Sequence, residues 1–84
     1  MSLSPEELYL RLGNLVAEMP DLAHCPITPE VNRWLGRAST LVEQVISRAE
    51  ATPMRVACQN LPTVLREINA QTIASFVHQA LAQV

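Results

Sequence analysis

The sequence predicts an all-α fold, a small bundle of three to four helices running mainly up and down, and three observations predict it. First, 49% of the residues are apolar while only Tyr9, Trp34 and Phe76 are aromatic. Such a core is built from Leu, Val, Ile and Ala, which favours helices packed on helices. Second, apolar residues recur at the spacing of one helical face in each main segment. Third, Ser4-Pro5, Thr28-Pro29 and Thr52-Pro53 are each a helix-start signal, a hydroxyl residue followed by a proline whose missing N–H is not needed at the first helical position. Short connectors between such starts place successive helices antiparallel.

The first helix opens with a capping box: Ser4 accepts from the amide three residues on, and Glu7 reaches back to the amide of Ser4. Leu3 and Leu8 are placed as a hydrophobic staple, and Glu7 to Arg11 is a favourable i,i+4 pair. Leu8, Tyr9, Leu12, Leu15, Val16 and Met19 form the apolar stripe, with Arg11, Asn14 and Glu18 opposite, and Pro20 ends the helix. Residues 20–28 hold two prolines and no sustained period. They read as an ordered connector whose Leu22 and Ile27 plug the core.

Thr28-Pro29-Glu30 begins the second helix, with Val31, Trp34, Leu35, Ala38, Leu41, Val42, Val45 and Ala49 as the longest clean stripe in the chain. Gly36 lies off that stripe at a propensity cost of about 1 kcal/mol relative to alanine. Between Thr52-Pro53 and Leu61-Pro62 there is room only for a short helix, with Met54, Ala57 and Cys58 inward. The last helix is expected from about Pro62, with Val64, Leu65, Ile68, Ile73, Phe76, Val77, Ala80, Leu81 and Val84 on its apolar face and a slip of phase, read as a bend, near Asn69. Its apolar face persists to Val84 with no glycine, proline or basic last turn, so the helix reads as continuing into more protein.

The 84 residues make one domain, 1–84, which buries only about 60–65% of its unfolded surface. The net charge is −2, the chain has no lysine, and its six arginines are spread over positions 11, 33, 37, 48, 55 and 66. Nucleic-acid binding calls for a clustered cationic footprint, so no nucleic-acid partner is expected. No membrane partner is expected either, since no stretch approaches the ~20 apolar residues of a span and no helix is basic and amphipathic. The N-terminus lacks a signal-peptide pattern, and the expected location is cytoplasmic. Cys25 and Cys58 are lone cysteines without a CxxC pairing, expected as reduced thiols.

Asp21, His24 and Cys25 are residue types that ligate zinc or assist nucleophilic attack. Their spacing is poor for either, and His78 and Cys58 would have to complete a site from separate elements. The plainer reading is a turn capped by Asp21, with Cys25 packed inward. Paired carboxylates at functional spacing and a glycine-rich phosphate loop are both missing. No catalytic residue, metal ligand or cofactor is therefore assigned. Arg33 and Arg37 share a helical face that could grip a phosphate or an acidic partner, against the plainer reading of a solvated face. Trp34 stands between them on the stripe, where Val31, Leu35 and Ala38 argue for core.

Three stretches carry a resemblance: Ser4 to Tyr9 running on to Glu18-Met19-Pro20-Asp21, then Pro29 to Ala38, and Asn69 to Ala74. Together they resemble the helical N-terminal region that precedes the phospholipase D-like domain in a group of bacterial proteins. The histidine-lysine-aspartate signature of that enzyme family is missing here, so no catalytic residue is carried over. The resemblance implies a bacterial leader module whose last helix leads into a larger domain.

These observations lead to the expectation of a non-catalytic helical module for protein–protein interaction or self-association. Phe76, Val77, Leu81 and Val84 are its expected docking face, with Arg33 and Arg37 as further contacts. Two rivals stand beside it: a leader or regulatory domain of a larger phospholipase D-like enzyme, and a small ligand- or metal-binding unit using Cys25, Cys58 and His78.

Overall fold

The computed structural model describes residues 3–63 and 65–84. They form four helices, α1 (Pro5–Ala17), α2 (Pro29–Val45), α3 (Thr52–Asn60) and α4 (Arg66–Gln83), and no strand appears among them. The all-α bundle expected from the sequence is the fold observed. The radius of gyration, 12.0 Å, is that of a compact chain of this length, for which scaling gives about 12 Å. α2 and α4 pack on each other, while α1 and α3 each lie against both.

The first two helices begin with the hydroxyl caps their sequences predict, although among the described residues Glu7 makes no return bond to the Ser4 amide. Ser4 Oγ accepts from the Glu7 amide at 3.2 Å, and Thr28 Oγ1 accepts from the Val31 amide at 3.3 Å. Each hydroxyl satisfies one of the donors that a helix start leaves unpaired. The Glu7–Arg11 pair that the spacing allows does not form among the described residues, because Arg11 turns into the valley between α1 and α2.

Along α1 the buried stripe is Leu8, Leu12 and Leu15, and Tyr9 stands 57% exposed beside it. The stripe is narrower than expected because α1 has only two neighbours, α2 and α4. The connector after α1 is ordered as expected, with Leu22 buried and Ile27 packed against the core. α2 buries Val31, Trp34, Leu35, Ala38, Leu41 and Val42. Its helix stops at Val45, four residues short of Ala49, which lies exposed in a turn. Ser47 Oγ takes the Glu50 amide at 3.2 Å, a local bond that competes with helix continuation. Ile46, extended at φ −106° and ψ 141°, turns into the core instead and is 3% exposed.

α3 is the short helix expected, with Met54 and Ala57 buried and Cys58 half-buried. α4 begins at Arg66, later than Pro62, and Val64 lies outside the described residues. Asn60 holds the intervening turn, its carbonyl accepting from both the Thr63 amide at 3.0 Å and the Thr63 hydroxyl at 2.9 Å. Leu65 caps α4 in the left-handed region, φ 49° and ψ 45°, with its side chain in solvent.

The phase slip near Asn69 resolves without a break in the helix. Leu65 and Ile68 are exposed, and the buried stripe is Ala70, Ile73, Val77 and Ala80. Small residues on that stripe let the central helix approach its three neighbours closely.

Two polar contacts lock the connector and α1 in place. Trp34 Nε1 donates to the Leu15 carbonyl at 3.1 Å, pairing the buried indole with one of the last carbonyls of α1. Arg66 Nε donates to the Leu22 carbonyl at 2.9 Å, and its Nη2 donates to the Cys25 carbonyl. A single guanidinium thereby ties residues 22–25 to the start of α4.

Candidate functional site

Among the described residues, a valley lies open between α1 and α2. Its two walls are helical rows: Arg11, Asn14 and Glu18 on α1, and Arg33, Gly36, Arg37, Thr40 and Gln44 on α2. Both follow the i, i+3, i+4, i+7 spacing of a single face. The α2 row lies opposite that helix's buried stripe. Leu15 and Leu41 form an apolar floor, and Leu3 lies at one end, where its amide donates to Gln44 Oε1 at 3.3 Å. The groove encloses about 510 Å³, within the range of ligand and peptide sites.

Its electrostatics differ from those of the rest of the surface. Three of the chain's six arginines line the groove against one of its eight carboxylates, although the whole chain carries −2. None of the three guanidinium groups has a hydrogen bond or ion pair among the described residues. Arg55 and Arg66 behave otherwise: Arg55 pairs with Glu43 of α2 at 3.2 Å, and Arg66 bonds backbone carbonyls. Arginine forks without partners beside an apolar floor suit carboxylates or phosphates, which they engage two bonds at a time.

Gly36 sits on the groove wall between Arg33 and Arg37 and is exposed. A Cβ built there meets nothing within 4 Å. Packing inside the chain therefore gives no reason for the glycine, although it costs about 1 kcal/mol of helix propensity relative to alanine. The exposed surface at that turn is bare backbone, with the Gly36 carbonyl also accepting from Thr40 Oγ1 at 3.0 Å.

The expected docking face on α4 is placed differently. Val77 is fully buried, and Phe76, Leu81 and Val84 are partly buried and packed against the core. Val77 is thus core and cannot touch a partner of the folded chain. Because α4 is surrounded by the other three helices, most of its apolar face is used inside the molecule. Val84 also borders a shallow depression with Tyr9 and Leu10, both of which are exposed.

Among the described residues, no hydrogen bond joins a cysteine to a histidine side chain. Cys25 lies on the connector with its sulfur 3.9 Å from Arg66 Nη2, and Cys58 lies on α3 with its sulfur 3.6 Å from the Ser39 hydroxyl. Both thiols are free. Burial pushes the Cys58 thiol above its ordinary pKa, a shift the Ser39 hydrogen bond partly opposes. A thiol held protonated in this way is a poor nucleophile.

His24 is exposed and stands 3.2 Å from Asp21, with Glu67 at 3.8 Å, while His78 is exposed on α4. Among the described residues no group of three or more His, Cys, Asp and Glu side chains could hold a metal ion. Among the same residues, no helix is long and apolar enough to cross a membrane.

Sequence reading singled out Arg33 and Arg37 but missed Arg11, Gly36 and the groove itself. Arg11 was legible as polar-face spacing, yet only the pairing of α1 with α2 shows that its face meets that of Arg33 and Arg37. Comparison with protein-family models, with curated proteins and with solved structures finds no match for this chain.

Proposed function

We propose that this chain is a non-catalytic protein-interaction module whose docking surface is the α1–α2 groove. One observation carries the reading: Arg11, Arg33 and Arg37, without partners among the described residues, line an open channel with an apolar floor. A cationic rim around an apolar strip is the pattern of an interface, where arginine is enriched and supplies binding energy out of proportion to its area. The reading keeps Arg33 and Arg37 as contacts and moves the docking face from α4 to the opposite side of α2. An enzymatic reading finds less support, since burial favours the protonated, poorly nucleophilic form of the Cys58 thiol.

The test is a titration of the 15N-labelled chain with two flexible leucine-containing peptides of equal length, one acidic and one basic, followed by NMR. The acidic peptide is expected to move the amide resonances of Arg33, Gly36, Arg37 and Thr40, with the shifts fading as salt rises. No shift with the acidic peptide, equal shifts with both, or shifts confined to other faces would overturn the reading. Sedimentation of the free chain over a range of concentrations addresses the competing occupant. Association that Arg33→Glu abolishes would replace a foreign partner with a second copy of the chain.

A further inference from the structure

Resting on that reading, we infer that the occupant of the groove is an acidic amphipathic helix of a partner protein, seated with its backbone close against Gly36. The argument begins with shape. The walls are two helical rows, and the α2 row from Arg33 to Gln44 spans about 16 Å, or three turns of helix. A valley between two helices accepts a third helix by the same ridge-and-groove packing that builds the bundle. An acidic helix laid there completes a three-helix layer over Leu15 and Leu41.

Charge gives the second line. Arg33 and Arg37 are one turn apart on α2, and Arg11 faces them from α1. Carboxylates spaced i,i+4 on a docked helix match the α2 pair, and a carboxylate on the helix's other flank meets Arg11. Glu18 is the acidic residue on the walls, near one end of the α1 row, so the repulsion it exerts is confined to that end. A nucleic acid fits less well. Three cations on a chain of net charge −2 release few counterions, and the floor between them is aliphatic, with no exposed aromatic on which a base could stack.

Gly36 supplies the third line and is independent of charge. An exposed mid-helix glycine with open space where its Cβ would stand has no packing function in the free chain. On the wall of an interhelical valley, a missing side chain lets two backbones approach closely. Gly13 offers the internal comparison: it too lies within a helix with nothing near its virtual Cβ, but it does not line the groove.

The experiment measures fluorescence anisotropy with a labelled helical peptide of about 15 residues, bearing a leucine stripe flanked by glutamates at i,i+4. A second peptide has the same composition with two prolines in its centre. Binding of the helical peptide is expected to exceed that of the proline-broken one by about tenfold or more, and Arg33→Gln with Arg37→Gln to weaken it by a similar factor. Gly36→Ala is expected to raise the thermal midpoint of the free chain yet weaken helical-peptide binding, whereas Gly13→Ala raises the midpoint and leaves binding unchanged.

If neither peptide binds, the interaction reading fails as a whole. If both bind equally, or Gly36→Ala binds as wild type, the groove remains an acidic-segment site and the helix inference alone is overturned. Tighter binding of a single-stranded oligonucleotide than of the helical peptide, or displacement of the peptide by millimolar inorganic phosphate, also overturns it.

Discussion

Arg66 and the pair Arg33–Arg37 show two uses of one side chain in one small fold. At the start of α4 a guanidinium is spent on two backbone carbonyls of the 18–28 connector and joins segments far apart in sequence. On the outer face of α2 the same chemical group has no partner among the described residues. The difference follows from packing. Arg66 is half-buried where α4 meets the connector, so its guanidinium finds internal acceptors. The α1–α2 valley faces water, where a cation costs nothing to leave free and gains nothing from being fixed. Internal polar pairing is thus found at the start of α4, and guanidinium groups without a partner among the described residues line the valley.

The largest effect that tests this division is a core truncation on α4. Ile73 is fully buried, and Ile73→Ala should cost about 3–4 kcal/mol in urea unfolding, a large share of what so small a domain possesses. A loss below about 1 kcal/mol would show that α4 is not the centre of stability.

Next comes Arg66→Met, which keeps the aliphatic stem but strands the Leu22 and Cys25 carbonyls. It should cost about 2 kcal/mol, while Arg33→Gln stays within about 0.5 kcal/mol of wild type. Equal costs for the two would erase the contrast between them.

Leu65→Gly acts in the opposite direction. The side chain is 67% exposed and the backbone is left-handed, so relief of strain should outweigh lost burial and stabilise the chain by about 1 kcal/mol.

The smallest effect concerns Cys58 at the α2–α3 contact. Its folded-state pKa is raised, so the folded chain holds the proton after the unfolded chain has released it. The stabilisation is therefore complete below the ordinary thiol pKa and is lost as pH climbs through the raised value. Unfolding midpoints measured from neutral to alkaline pH should fall in the wild type, and Cys58→Ala should remove that part of the slope. Cys25→Ala serves as the control.

How far the sequence revealed this molecule depended on whether a signal was local. The starts of α1 and α2 were legible because their cap, proline and stripe lie within a few residues of each other, and the observed bonds are those the pattern calls for. The end of α2 was not. Ala49 keeps the helical period, but Ser47 offers its hydroxyl to the Glu50 amide and the chain turns earlier. In the same way, Leu65 and Ile68 continue the apolar run of α4 in composition, whereas burial selects the smaller Ala70 and Ala80 because a central helix must pack closely on three sides.

The candidate site was half visible. The spacing of Arg33 and Arg37 marks a shared face, but no local pattern says that α1 brings Arg11 opposite them or that Gly36 lies against open space. Those are facts of how one helix packs on the next. Val77 of the face expected on α4 is core for a related reason, since an apolar stripe looks alike whether a neighbour in the same chain covers it or a separate molecule does.

Trp34 gives the molecule an optical gauge of its own. It is the chain's only tryptophan, 3% exposed, and its ring nitrogen holds the last turn of α1 while its flank borders Arg37. Emission excited at wavelengths that tyrosine does not absorb therefore comes from one spot, where α1 meets α2. Spreading of those two helices wets the indole and reddens its light, so the seam beneath the groove can be followed in real time without attaching a dye.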